Sequence, residues 1–210
     1  MTVSRGASGT IRPGGRTART RAHVLEAVLA ELVDGGYANL TMDGIARRSG
    51  VHRTTLYRRW GNVNTLLAEA ATSAMDSAVP IPDTGALDDD LLALAKLIAD
   101  NLRQPATRAL VHTLAAELDR SPWARELAES FWNHRAELTK PLVDRAVERG
   151  ELPEGTCART LLETLIAPLY LRLLVTGGPL DQPTLRAAAD QAALAARTQR
   201  PRDAPPALEP

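Results

Sequence analysis

The sequence predicts an all-α fold of about nine helices, and three observations carry that prediction. Apolar residues recur at three- and four-residue spacing through most of the chain, as in Val24, Leu25, Val28, Leu29 and Leu32. No stretch alternates apolar and polar residues with the two-residue period of a half-buried strand. Glycine pairs such as Gly35–Gly36 and Gly177–Gly178 fall between the periodic stretches, where helices are expected to end.

Residues 1–16 (MTVSRGASGTIRPGGR) hold little that could be buried and read as a disordered basic arm. A first helix is expected over 17–34, with its apolar stripe closed by Gly35–Gly36. Tyr37 and Leu40 are expected to pack over the segment TMDGIARRSGVHRTTLYRRW at 41–60, which reads as two short helices at a sharp angle. Thr41 can cap the first through its hydroxyl, and Met42, Ile45 and Ala46 give that helix an apolar face. Ser49–Gly50 stops it, because glycine takes the positive φ of a tight turn without steric cost. Val51 and Leu56 turn the second helix back onto the first, and Trp60 closes the small core. Arg53, Thr54, Tyr57 and Arg58 are left outside, offering donors, hydroxyls and positive charge. An apolar inside that fixes the angle, with a short polar outside, is what a helix-turn-helix needs to enter the major groove.

A fourth helix is expected over 64–78, burying Leu66, Leu67, Ala70 and Met75. Pro80, Pro82 and the run Asp83-Thr84-Gly85 then break the pattern and set a domain boundary. The remainder is Leu/Ala-rich and helical, with helices expected over 88–104, 105–119, 122–149, 156–175 and 183–197. Three aspartates, Asp88 to Asp90, open the first of these where the helix dipole favours negative charge. Pro141 and Pro168 are expected to bend their helices. The resulting organisation is an arm (1–16), a helix-turn-helix domain (17–79), a second, all-helical domain (86–198) and a flexible tail (199–210).

Charge supports this division. Through residue 60 there are ten arginines and four acids, a net +6 that leaves −6 on the rest of a formally neutral chain. An electropositive N-terminal third on an acidic body is the footprint of a nucleic-acid reader joined to a module with another task. The basic arm then has two readings, an unstructured terminus or an extension that reaches the minor groove or phosphates. A single cysteine, Cys157, permits no internal disulfide and fits a reducing cytoplasm. No apolar run approaches the ~18 residues of a membrane span, and the basic N-terminus lacks the apolar core of a secretory signal.

The pattern T-M-x-x-I-A-x-x-S-G-V-x-x-x-T-L-Y-R-x-W, with G-x-x-x-x-L-L after it at 61–67, resembles the DNA-binding core of the TetR family of bacterial transcriptional repressors. The likeness spans roughly 17–78. Two positions depart from the family pattern: His52 stands where Ser or Thr usually caps the recognition helix, and Val63 where a lysine usually meets a phosphate. The segment YLRLLVTGGPLDQPTL resembles the C-terminal domain of one TetR subfamily, whose last two long helices pair with their twofold mates as a four-helix bundle. That resemblance implies a homodimer seam of Leu161, Leu165, Leu169 and Leu173 with Ala188, Ala189, Ala192 and Ala196; the other reading of the same residues is ordinary core packing, and the sequence does not separate the two.

The function expected is a repressor that binds a palindromic operator in double-stranded DNA as a dimer and is released by a small-molecule effector. Arg53 and Thr54 are expected to read base edges, with arginine matched to guanine and threonine to a thymine methyl. Thr41, Tyr57 and Arg58 are expected on phosphates, with Thr55 completing the DNA-binding set. The effector is expected among Trp123, Phe131, Trp132 and Tyr170, with His112 and His134 as further candidates, since such pockets combine aromatic walls with a few polar groups. No catalytic residue, cofactor or metal is expected. The four histidines form no ligand pair at helical spacing, and phosphate-cradling and nucleophile-elbow motifs are missing. The alternative is an architectural or protein-interaction helical protein with weak sequence specificity, to which Val63 lends weight.

Overall fold

The computed structural model describes residues 14–198, with side chains from residue 17 onward except those of residues 75–78. The expected arm up to residue 13, the tail from 199 and the burial of Met75 therefore lie outside the described residues. Nine α-helices and no strand occur among those described. They are α1 Gly14–Gly35, α2 Met42–Ser49, α3 Arg53–Trp60, α4 Val63–Ala78, α5 Leu87–Arg103, α6 Pro105–Glu117, α7 Pro122–Glu148, α8 Ala158–Leu171 and α9 Gln182–Thr198. A 3-10 turn, Tyr37–Asn39, succeeds α1, and a π-helical turn, Arg172–Thr176, extends α8. Gly14 to Arg16, expected in the arm, belong to α1 instead, because extending a nucleated helix costs far less than starting one.

The chain forms two compact units that divide between Ala70 and Ala71, inside α4. In the first, Val24, Val28 and Leu32 of α1 meet Ile45 of α2, Leu56 of α3 and Leu66 of α4, all essentially without exposure. Removing any of these leucines would cost roughly 2–5 kcal/mol through lost transfer energy and the residual cavity.

In the second unit α5 packs against α8 and α9, and α7 against α8. Leu87, Leu91, Leu94 and Ala95 of α5 are buried against Leu161, Leu165 and Leu169 of α8 and a row of alanines on α9. Those alanines (Ala188, Ala189, Ala192, Ala193 and Ala196) let helix axes approach closely. The eight residues expected at a dimer seam are therefore engaged elsewhere: seven are buried in the protomer's own core, and Leu173 is partly buried against it. What α8, its π turn and α9 leave exposed is Leu171 (53%), Leu174, Val175 (74%) and Leu194 (64%).

The proline-rich stretch after α4 is strapped to the second unit. Arg135 Nη1 donates to the Val79 carbonyl at 3.0 Å and Arg145 Nη2 to that of Pro82 at 2.7 Å. The Asp90 carboxylate, fully buried, accepts from Thr84 N (2.6 Å) and Thr84 Oγ1 (2.8 Å). Helix α7 runs on through Pro141, and α8 runs through Pro168 before widening into the π turn.

Candidate nucleic-acid interface and effector cleft

The reading head is built from two caps. Thr41 Oγ1 accepts from Gly44 N at 3.1 Å and starts α2, and Gly50, with φ 68°, ends it. That left-handed conformation costs an ordinary residue about 1–2 kcal/mol and costs glycine almost nothing. His52, expected to be a poor substitute for Ser or Thr, does cap α3: its Nδ1 accepts from Thr54 N at 3.4 Å and lies 2.9 Å from Thr54 Oγ1. Accepting at Nδ1 requires the ring hydrogen to sit on Nε2.

A clamp then holds α2 against α1. Arg48 donates to Glu31 Oε1 at 2.6 Å and to Asp34 Oδ2 at 2.5 Å, and these bonds raise its already high pKa. Gly44 lies under the clamp; a Cβ there would sit 2.7 Å from Glu31 Oε2, so a larger residue would make the tip of that side chain shift. A second clamp centres on Glu69 of α4. One oxygen accepts from Arg21 Nε at 2.5 Å and the other from the indole Nε1–H of Trp60, a side chain 5% exposed, at 2.7 Å. Tyr37 donates its phenolic hydrogen to Asn64 Oδ1 at 3.1 Å. Helix α3 is thus fixed on its inner face by Leu56 and Trp60.

Its outer face presents Arg53, Thr54, Tyr57 and Arg58 to solvent, with Thr55 half-buried. Arg58 has no side-chain partner among the described residues, and neither has Arg47 of α2. Arg53, exposed on the outer face, has partners within the reading head. It lies 3.1 Å from the Asp43 carboxylate and stacks over the Tyr57 ring at 5.2 Å. Both partners of the ion pair are more than half exposed, so it is worth only ~0–1 kcal/mol and restrains Arg53 little. Thr41 has its oxygen engaged in the cap and keeps its hydroxyl hydrogen for another acceptor.

In the second unit Phe131, Trp132 and Tyr170 come together edge to face, with ring centroids 4.9 and 5.9 Å apart in succession. They line a cleft of about 40 Å³ with Ile98, Leu102, Ile166 and the polar groups of Asn101, Thr107 and Arg135. Thr107 Oγ1 donates to Asn101 Oδ1 at 3.0 Å, and burial pushes the Tyr170 phenol up to about 12. Three of the expected pocket residues are placed elsewhere. His112 and His134 are exposed, and Trp123 stands half-buried at the start of α7, outside the cleft. The reason is helical geometry: Arg135 and Val111 point inward, and adjacent positions on a helix lie about 100° away. Arg135, Asn101 and Thr107 were not singled out from sequence. Arg135 had a signal, being a charge four residues from Phe131 and from Thr139 on the buried stripe of α7.

Comparison with known proteins completes the picture. Residues 24–70 match the family model for bacterial regulatory proteins of the tetR family, and residues 81–192 match that for the tetracyclin repressor-like C-terminal domain. The chain is 32% identical over 170 residues to the HTH-type transcriptional regulator AqdR of Rhodococcus erythropolis, covering 80% of this chain and 82% of that one. It is 35% identical over 171 residues to the DNA-binding transcriptional repressor TetR of Mycobacteroides abscessus, covering 77% and 86%. The crystal structure of the TetR family transcription regulator SCO0332 superposes with a TM-score of 0.69 at 29% identity, over 83% of this chain and 97% of that one. With a helix-turn-helix whose polar face is exposed and an all-helical second unit that matches in its own right, the chain belongs to the TetR family of DNA-binding transcriptional regulators.

Proposed function

We propose that this regulator is a cytoplasmic repressor that binds a palindromic operator as a homodimer and leaves it when a small molecule occupies the second unit. The observation that supports it most is the division of α3 into a locked inner face and an open outer one bearing Arg53, Thr54, Tyr57 and Arg58. Arg53 and Thr54, nearest the N-terminal end, read base edges, and Thr41, Tyr57 and Arg58 hold phosphates, with Thr55 beside them. One eight-residue helix reaches too few base pairs to specify a site alone, so two copies read two half-sites. The seam is the exposed side of the last two long helices and the π turn, carrying Leu171, Leu174, Val175 and Leu194.

The effector enters the aromatic cleft of Phe131, Trp132 and Tyr170. About 40 Å³ admits a few waters and no drug-sized molecule, so binding must part α5, α7 and α8. A ligand that forces such a widening necessarily favours one arrangement of the chain over another, and the shift it produces is limited by that difference in affinity. The second reading, an architectural binder, is favoured by the apolar Val63 at the start of α4. Selection of bound sites from a random DNA pool, with titration at fixed salt afterwards, tests the two. A palindrome bound about 10³-fold or more tighter than random DNA supports the repressor, and a ratio near one supports the alternative.

A further inference from the structure

A second cavity, of about 230 Å³, shares Leu102 with the aromatic cleft. Three arginines from three elements line it: Arg103 at the end of α5, Arg108 in α6 and Arg172 in the π turn. Two are pinned by main-chain carbonyls of the loop between the π turn and α9. Arg103 Nη2 donates to Leu180 O at 2.5 Å, and Arg172 Nη1 to Pro179 O at 3.3 Å. Gly178 makes room for the second of these, since a Cβ there would stand 2.9 Å from Arg172 Nη1. Arg108 is exposed and has no side-chain partner among the described residues.

The nearby carboxylates are partly occupied. Asp100 pairs with Arg103 alone, and Asp181 accepts from Thr184 N at 3.1 Å and Thr184 Oγ1 at 2.6 Å while lying near Arg172. Arg108 therefore faces the cavity without an anion of the chain to meet it, while Arg103 has Asp100 and Arg172 lies near Asp181, whose carboxylate is engaged by Thr184. This cluster lies in the part of the sequence, residues 61–210, whose net charge is −6, so it is a local exception and not a general basic surface. The remaining wall is apolar: Leu102, Leu173, Leu180 and Pro179.

We infer that this cavity binds a small organic acid, its oxyanion held by Arg108 and Arg172 and its apolar part lying on Leu102, Leu173 and Leu180. Guanidinium forks match carboxylates and phosphates in geometry, and charge-assisted bonds of this kind are about twice as strong as neutral ones. The site is separate from the aromatic cleft and does not rest on an effector binding there. The π turn that carries Arg172 also carries Leu174 and Val175 of the exposed apolar face, so an acid bound here stiffens the segment beside that face.

Calorimetric titration of the full chain at physiological salt tests the site, with hexanoate as probe, hexanamide as its neutral isostere and inorganic phosphate as a bare anion. Hexanoate should bind saturably and at least about tenfold tighter than either of the others. Arg108→Gln and Arg172→Gln should each weaken it by about tenfold, whereas Trp132→Ala in the aromatic cleft should leave it unchanged. Arg108→Gln removes no contact within the fold, so its far-UV circular dichroism should match the parent and its binding result stands alone. Equal affinity for hexanoate and hexanamide, phosphate binding as tightly as hexanoate, loss of binding in Trp132→Ala, insensitivity to both arginine changes, or no saturable heat would each overturn the assignment.

Discussion

Glu69 ties Trp60 of α3 to α4 and Arg21 of α1, and its removal has a calculable cost. The carboxylate makes two bonds of unequal value. The one to Arg21 joins side chains that are 40% and 31% exposed, so water and salt screen it and it is worth ~0–1 kcal/mol. The other satisfies the indole N–H of Trp60, a side chain 5% exposed. A hydrogen bond to an ionised acceptor contributes about 1.5–3 kcal/mol, and a buried donor left without one bears its full desolvation cost. Glu69→Ala should therefore destabilise the first unit by about 2–3 kcal/mol, Glu69→Gln by about 1, and Arg21→Gln by no more than ~1. Replacing Trp123 and Trp132 by Phe leaves Trp60 as the one indole, so fluorescence during guanidinium unfolding reports on the reading head alone. If Arg21→Gln costs as much as Glu69→Ala in that background, the ion pair and not the indole holds α3. A cost below ~0.5 kcal/mol for Glu69→Ala would refute both.

On the DNA side, Arg53→Ala should relax preference at one base position per half-site, at about 1–3 kcal/mol, while Tyr57→Phe should weaken all sequences alike; a binding-site selection with each variant separates the two outcomes. Val175→Asp and Leu194→Glu should give folded monomers by light scattering with an unchanged melting temperature per protomer, because both side chains are mostly exposed. Leu165→Ala, fully buried, should instead lower stability by about 2–5 kcal/mol at any protein concentration. In an alkaline titration monitored by phenolate absorbance, Tyr170 should ionise near 12, and that step should vanish in Tyr170→Phe. Burial raises its folded value above the ordinary one near 10, so its contribution is fully present below about 10 and is lost as pH rises through 12.

Much of this molecule is legible in the chain alone. The reading head is local: caps, a glycine turn and an apolar stripe act over three or four residues, so Thr41, Gly50, Leu56 and Trp60 announce their roles within a twenty-residue window. The uneven distribution of charge is equally a property of the sequence. Contacts that join residues far apart in sequence are another matter. Nothing near Glu69 says that it will meet Arg21 and Trp60, or near Arg48 that Glu31 and Asp34 await it, and Gly44 looks like a weak point in a helix until Glu31 is placed above it.

In the second unit the same limit decided which face of a helix went where. Helix α8 is apolar on more than one side, and periodicity cannot say which side meets α5 and α9 and which is left outside. The leucines and alanines expected at a seam between copies fill the protomer's own core, and Leu171, Val175 and Leu194 take the exposed positions. The sequence pointed to Trp123, Phe131, Trp132 and Tyr170 as a set, whereas the absence of Trp123 from the cleft, the inward turn of Arg135, the outward turn of His112 and His134, and the meeting of Arg103, Arg108 and Arg172 are set by helix packing. A sequence specifies the stripes on each helix through short-range periodicity; which stripes face one another depends on how all of them can be buried at once, and that only the tertiary structure decides.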